Sequence, residues 1–250
     1  MNIAWLTHRE WTADAGGAEA ADFDMVARRP KEANITIFWP GGVDESLHDY
    51  DRIIVSGFYG FNSRELNIVQ DVGHKSLLWL HDSQMTSHWL YTAVSTLIFC
   101  TPQHRDHDLS FQPGFVPKRV EINPGWMDPQ DVVGIELDPG EDRTDALWAH
   151  RPVEHKGLDL AAEWARRNDI RLNVLVGRPR AQVLRAMWAN RYFVLLSHIF
   201  DAGPRAVMEA QLAGCELIIN ENVGWFDESW EVLAQRLSTA DQHFWDVVMG

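Results

Sequence analysis

Asp201 and Glu209 are separated by seven residues in the stretch from Ser197 to Cys215, and most of the residues between them are small or apolar. The apolar run 192–196 reads as a buried strand. Pro204 followed by Ala206, Val207, Met208, Ala210 and Leu212 reads as a helix opened by proline and stopped at Gly214. Asp201 then falls in the loop before the helix and Glu209 on its second turn, near the carboxyl end of a strand, where open α/β sheets bind ligands. Two acids so placed can accept from two separate hydroxyl groups of one molecule. A helix-capping Asp and a solvated helical Glu have the same spacing, so the surroundings must decide between the two readings. Upstream, Arg151 and Lys156 stand at a strand end and a helix start, with four residues between them. A planar guanidinium fork and an ammonium beside a helix N-terminus suit a diphosphate.

The amino-terminal half carries further candidates. An opening strand at 2–6 is followed by a polar loop and then Gly16, Gly17, Ala18 and Glu19 at a helix start. A glycine pair there lets backbone amides approach an anionic ligand closely. The apolar strand 76–80 ends in His81 and Asp82, and residues 120–128 run from a short strand through Asn123, Pro124 and Gly125 to Asp128.

Taken in order, these segments resemble the retaining glycosyltransferases of family four, which have the GT-B fold. That family carries Gly-Gly-x-Glu, a His-Asp pair, Asn-Gly-x-Asp, Gly-Arg-Leu-x-x-x-Lys-Gly and Glu-x7-Glu along the chain. The resemblance implies an α/β fold of two Rossmann-like domains facing a central cleft, and transfer of a sugar from a nucleotide-diphosphate donor to an acceptor hydroxyl. It further implies retention of anomeric configuration, no bound metal and no cofactor beyond the donor substrate itself. Asp201, with the amides of Ala202 and Gly203, would hold the transferred sugar, and Glu209 the ribose. Arg151 and Lys156 would hold the diphosphate, with Gly16 and Gly17 lying against it. His81 would sit beside the donor sugar as a catalytic-site residue, and Glu19 and Asp82 would face the acceptor. Asp201 departs from the family's Glu and is one methylene shorter, so the sugar must sit closer or receive less from it. The chain is also about a hundred residues shorter than a common member, which implies a trimmed first domain. Two other readings stay open: a nucleotide-sugar epimerase or other GT-B enzyme, and a non-catalytic nucleotide-sugar-binding module.

Strands are expected at 2–6, 35–39, 52–56, 76–80, 97–100, 120–122, 146–149, 171–176, 192–196 and 216–220, alternating with helices as parallel sheets require. The Pro-, Gly- and Asp-rich stretch 123–143 marks the boundary between an acceptor domain, 1–127, and a donor domain, 128–237. One or two helices in the tail are expected to return to the first domain over 238–250. With 250 residues and 46% hydrophobic content, the chain can bury substantial cores. A cytoplasmic protein without stable membrane insertion is expected, because no apolar run of about eighteen residues and no basic-then-apolar leader is present. Cys100 and Cys215 read as free, buried thiols. His104, Asp106, His107 and Asp108 read as a solvated helix face in preference to a metal site. A net charge of -14 opposes passive attraction to nucleic acid or an anionic bilayer. The acceptor is therefore read as a protein or soluble glycan, with modified nucleic acid kept open.

Overall fold

The computed structural model describes residues 1–8, 17–81, 88–133, 143–151 and 153–250. In chain order the first elements are β1 (Asn2–Leu6), α1 (Gly17–Ala27), β2 (Asn34–Phe38), β3 (Arg52–Val55) and α2 (Ser63–Asp71). Next come β4 (Ser76–Leu80), α3 (His88–Ala93), β5 (Thr96–Phe99), α4 (Pro102–Ser110), β6 (Val120–Ile122) and α5 (Gln130–Val133). There follow β7 (Ala146–Ala149), α6 (Leu158–Arg167), β8 (Leu172–Leu175), α7 (Arg180–Ala189), β9 (Tyr192–Leu195) and α8 (Arg205–Leu212). The last are β10 (Glu216–Ile219), α9 (Trp230–Ser238) and α10 (Ala240–Met249). Among the described residues, each of the ten strands overlaps a segment expected from sequence. The chain divides into two compact units, Met1–Met127 with Thr239–Gly250, and Asp128–Ser238.

In the first unit six parallel strands run in the order β2-β1-β3-β4-β5-β6. Strand side chains alternate between faces, and a parallel sheet covered on both sides needs apolar residues on each. Ala4, Leu6, Ile53, Val55, Leu78, Leu80, Leu97 and Phe99 enter one core, with Ile68 and Val69 of α2 and Leu90 and Tyr91 of α3. Ile3, Trp5, Ile54, Leu77, Trp79 and Ile98 enter the other, against Met25 of α1 and Phe244, Trp245 and Val248 of α10. The tryptophans pay for their bulk with bonded indoles: Trp5 Nε1 donates to Ser56 Oγ (2.9 Å), Trp79 Nε1 to the Asn123 carbonyl (3.3 Å) and Trp245 Nε1 to the Met25 carbonyl (3.1 Å). Helix α2 begins with a capping box, in which the Asn62 side chain accepts from the Glu65 amide and Glu65 accepts from the Asn62 amide.

In the second unit four parallel strands run in the order β10-β9-β7-β8. Ala146, Trp148 and Val194 pack with Ala161 of α6 in one core. Arg143 fastens the ends of two helices, donating to the carbonyls of Trp188 and Asn190 at the end of α7 and of Ala213 and Gly214 after α8. A cation among carbonyls at helix C-termini also complements their dipoles.

Candidate functional site

The strand order in the second unit reverses between β7 and β9, and in open parallel sheets the loops leaving the strands at such a point frame the ligand crevice. The loop after β7 carries His150, Arg151 and a tight turn at Glu154–Lys156. The loop after β9 carries residues 196–204. The two are stitched together, because Ser197 Oγ and the His198 amide each donate to the His155 carbonyl at 2.9 Å. Gly157 makes this approach possible. Its φ is +62°, and a Cβ there would lie 1.8 Å from the Leu196 carbonyl oxygen, so no other residue fits without moving β9.

The far side of the β9 loop is pinned as well. The Asp201 amide donates to the Asn222 carbonyl (2.7 Å), the Gly224 amide donates to the Asp201 carbonyl (2.8 Å), and the side-chain amides of Asn220 and Asn222 each donate to the Ser197 carbonyl (2.9 Å). Held in this way, the Asp201 carboxylate forms an ion pair with the Lys156 ammonium, at side-chain exposures of 13% and 19%. Pro204 occupies the cap position of α8, so Asp201 is not the helix cap. Glu209, buried on α8, faces cations too: Arg180 Nε donates to its Oε1 at 2.8 Å, and Arg205 Nε lies 3.4 Å away. Arg180 also reaches Asp131 (3.1 Å). Arg151 is exposed, and the Ala202 side chain is buried beside Gly203 in the Asp201 loop. Burial and the nearby Lys156 ammonium pull the His150 imidazole down to about 3, so it stands beside the ion pair as a neutral ring.

In the first unit the strand order reverses between β1 and β3. Gly17 begins α1, and the buried Glu19 and Asp22 follow one turn apart on the same helix. Glu19 Oε1 lies 4.0 Å from Nε2 of His8, which follows β1. His81, at the end of β4, engages Asp22, with Nε2 3.0 Å from Oδ1. Gly16 and Asp82 lie outside the described residues. Of the residues singled out from sequence, the structure thus brings Lys156 to Asp201. It sets Glu209 against two guanidinium groups and turns His81 toward Asp22.

Sequence reasoning missed Arg180, Arg205, His8 and Asp22. Two of these had a signal: Arg205 stands four residues before Glu209, and Asp22 three after Glu19, spacings that share one helix face. One expectation is corrected. His104 and Asp108 of α4 are fully buried, not solvated, since Asp108 accepts from the Tyr91 hydroxyl (2.6 Å) and lies 3.5 Å from His104, so the polar groups satisfy one another. Cys100 and Cys215 are buried and free. Among the described residues no helix is long and apolar enough to cross a membrane, and no group of three or more His, Cys, Asp or Glu could hold a metal ion.

No protein-family model matches the chain, and no curated protein sequence matches it. Solved structures do. HepE from Anabaena, determined with UDP and glucose, has a TM-score of 0.58 at 12% identity, covering 99% of this chain and 94% of that one. An alpha-glucosyltransferase in complex with UDP-glucose and DNA containing an abasic site has a TM-score of 0.57 at 10% identity, covering 99% and 95%. WaaG, a glycosyltransferase involved in lipopolysaccharide biosynthesis, has a TM-score of 0.56 at 15% identity, covering 96% and 90%. At such identities the likeness is one of fold. The chain has the α/β fold of the GT-B glycosyltransferases, built from two Rossmann-like units.

Proposed function

We propose that the protein is a glycosyltransferase that moves a hexose from a nucleotide-diphosphate donor to an acceptor hydroxyl, with retention at the anomeric carbon and without a divalent metal. The observation that carries this reading is the Lys156 and Asp201 pair at the β7 and β9 switch point, in a fold shared with proteins solved with UDP and UDP-glucose. A uridine diphosphate sugar is accordingly the first donor to test.

As the glycosidic bond breaks, negative charge grows on the departing diphosphate. Lys156 and Arg151 would neutralise that charge from fixed positions, which lowers the barrier without solvent reorganisation. Their positive charge also stands in for a metal in that role. Lys156 is paired with Asp201. Donor binding exchanges the partners: the ammonium turns to phosphate, and the freed carboxylate, with the amides of Ala202 and Gly203, accepts the sugar hydroxyls. Glu209 accepts from the ribose, held in place by its pairing with Arg180 and Arg205. The acceptor is a protein or soluble glycan, in keeping with the net charge of -14.

Calorimetry and turnover across UDP-, GDP-, ADP- and dTDP-sugars test this reading. One nucleotide sugar should bind and be transferred in EDTA, with the product keeping the donor's anomeric configuration by NMR. Lys156→Ala should weaken both binding and transfer. Binding of no nucleotide sugar, or activity that only magnesium or manganese restores, would refute it.

A further inference from the structure

The cations around Glu209 crowd onto one of its two oxygens. Arg180 Nε donates to Oε1 at 2.8 Å, and Arg205 Nε lies 3.4 Å from the same atom. Oε2 accepts from no described residue and is not sealed from solvent, although the side chain as a whole is only 7% exposed. A carboxylate has about four sites for donors, and a buried one ordinarily fills them on both oxygens. In Glu209 the second oxygen stays open to a donor that the described chain does not supply.

Arg180 is placed against local preference. It is the first residue of α7, behind Pro179 at the cap, where the helix dipole disfavours a cation. Two acids hold it there: Glu209 through Nε, and Asp131 of α5 through Nη1 at 3.1 Å. Helix α5 is itself fastened to α7, because Trp188 Nε1 donates to the Val132 carbonyl at 2.7 Å. A guanidinium is planar and rigid, so anchoring one nitrogen on Asp131 fixes the direction in which another meets Glu209. This brace runs from α5 through α7 to α8 within the second unit, and it ends at the open oxygen.

We propose that Arg180 and Asp131 are positioning residues that make the second unit selective for ribonucleotides: by engaging Oε1 of Glu209 they aim Oε2 at the ribose hydroxyls. This rests on the reading above, in which Glu209 meets the ribose. It adds that the discrimination is set by two side chains outside that contact, one of them exposed on a different helix. A carboxylate free to turn would find another donor when a nucleotide without ribose hydroxyls entered. A braced one is left with a buried oxygen unpaired, which costs more than the missing bond alone.

Calorimetry on the full chain compares the tightest-binding of UDP, GDP and ADP with its 2′,3′-dideoxy form, which keeps the base and diphosphate and lacks both hydroxyls. The unaltered protein should prefer the ribonucleotide by about tenfold or more. Arg180→Ala should bring that ratio below about threefold by weakening the ribonucleotide alone, with affinity for the dideoxy form kept within about twofold. Asp131→Asn, a change at an exposed side chain that leaves the Trp188 tie in place, should lower the ratio by about threefold. In a Glu209→Gln background Arg180→Ala should change ribonucleotide affinity by less than about twofold, because a residue acting through another adds nothing once that other is gone. Equal weakening of both ligands in Arg180→Ala would put the guanidinium on the base or diphosphate and overturn the positioning role. A ratio unchanged in Asp131→Asn overturns the brace, even where Arg180→Ala fails to fold. Equal affinity of the unaltered protein for the two ligands overturns ribose selection and leaves the glycosyltransferase reading standing on its transfer assays. Binding of none of the three ribonucleotides overturns both.

Discussion

Asp201 is a competitor for its own site. If Lys156 must release the carboxylate before it can hold a phosphate, then Asp201→Asn, which keeps the shape and removes the charge, should raise the affinity for UDP. Two unit charges about 4 Å apart attract by about 4 kcal/mol at an effective dielectric of 20, before side-chain entropy and hydration are counted. For a pair exposed at 19% and 13% the net worth falls nearer to about 1 kcal/mol. That corresponds to about fivefold tighter binding of UDP in the variant. Transfer should nevertheless slow, because the sugar loses an acceptor. Lys156→Ala should weaken UDP binding by about tenfold to a hundredfold, the loss of one charge-assisted hydrogen bond. In that background Asp201→Asn should change UDP affinity by less than about twofold, since nothing remains to compete for. Isothermal calorimetry of the four proteins measures every leg of the cycle. Weaker UDP binding in Asp201→Asn would show that the carboxylate aims Lys156 at the phosphate and does not withhold it, and the exchange of partners would be wrong.

Gly157→Ala should destabilise the second unit by roughly 3 kcal/mol, combining left-handed strain with the contact at Leu196, and should weaken UDP binding along with it; urea unfolding within about 1 kcal/mol of the unaltered protein would deny the close approach. Glu209→Gln should weaken UDP binding by about tenfold, since its ribose bonds lose charge assistance, and unchanged affinity by calorimetry would take Glu209 out of the nucleotide site. His150 has a folded-state value of about 3, below its ordinary 6.5, so the stability it confers is complete above 6.5 and is lost as the pH falls from there through 3. His150→Phe should therefore flatten the loss of stability on acidification across that window, on the order of a few kcal/mol, and unfolding midpoints at neutral and acid pH that fall as steeply as before would contradict it.

Much of this architecture could be read from residues alone, for a physical reason. Buried parallel strands are short apolar runs between turn-formers, so segments such as 76–80 and 192–196 announce themselves. Helix α8 did so through Pro204 and Gly214. The cation and acid of the ion pair were each legible as candidates, but their mutual contact was not, because it depends on Gly157 admitting one loop against the end of another strand. Arg180 was missed for a similar reason: its contact with Glu209 spans α7 and α8 and leaves no local pattern. The polar residues of α4 misled because burial is a property of the neighbours. Nothing in the local sequence says that Tyr91 will meet Asp108, or that the Cys100 amide will meet His104.

The discontinuity of the first unit has a consequence for the order in which the molecule is made. Residues 1–127 supply its whole sheet, yet the face bearing Ile3, Trp5, Leu77 and Trp79 is covered by Phe244, Trp245, Val247 and Val248 of α10. A ribosome delivers α10 only after the entire second unit has emerged. The second unit is one continuous stretch and can close upon itself during synthesis, whereas the unit begun first waits with two tryptophans exposed. That interval is when the nascent chain is most open to aggregation, and the contact that ends it, between Trp245 and Met25, joins residues 220 positions apart.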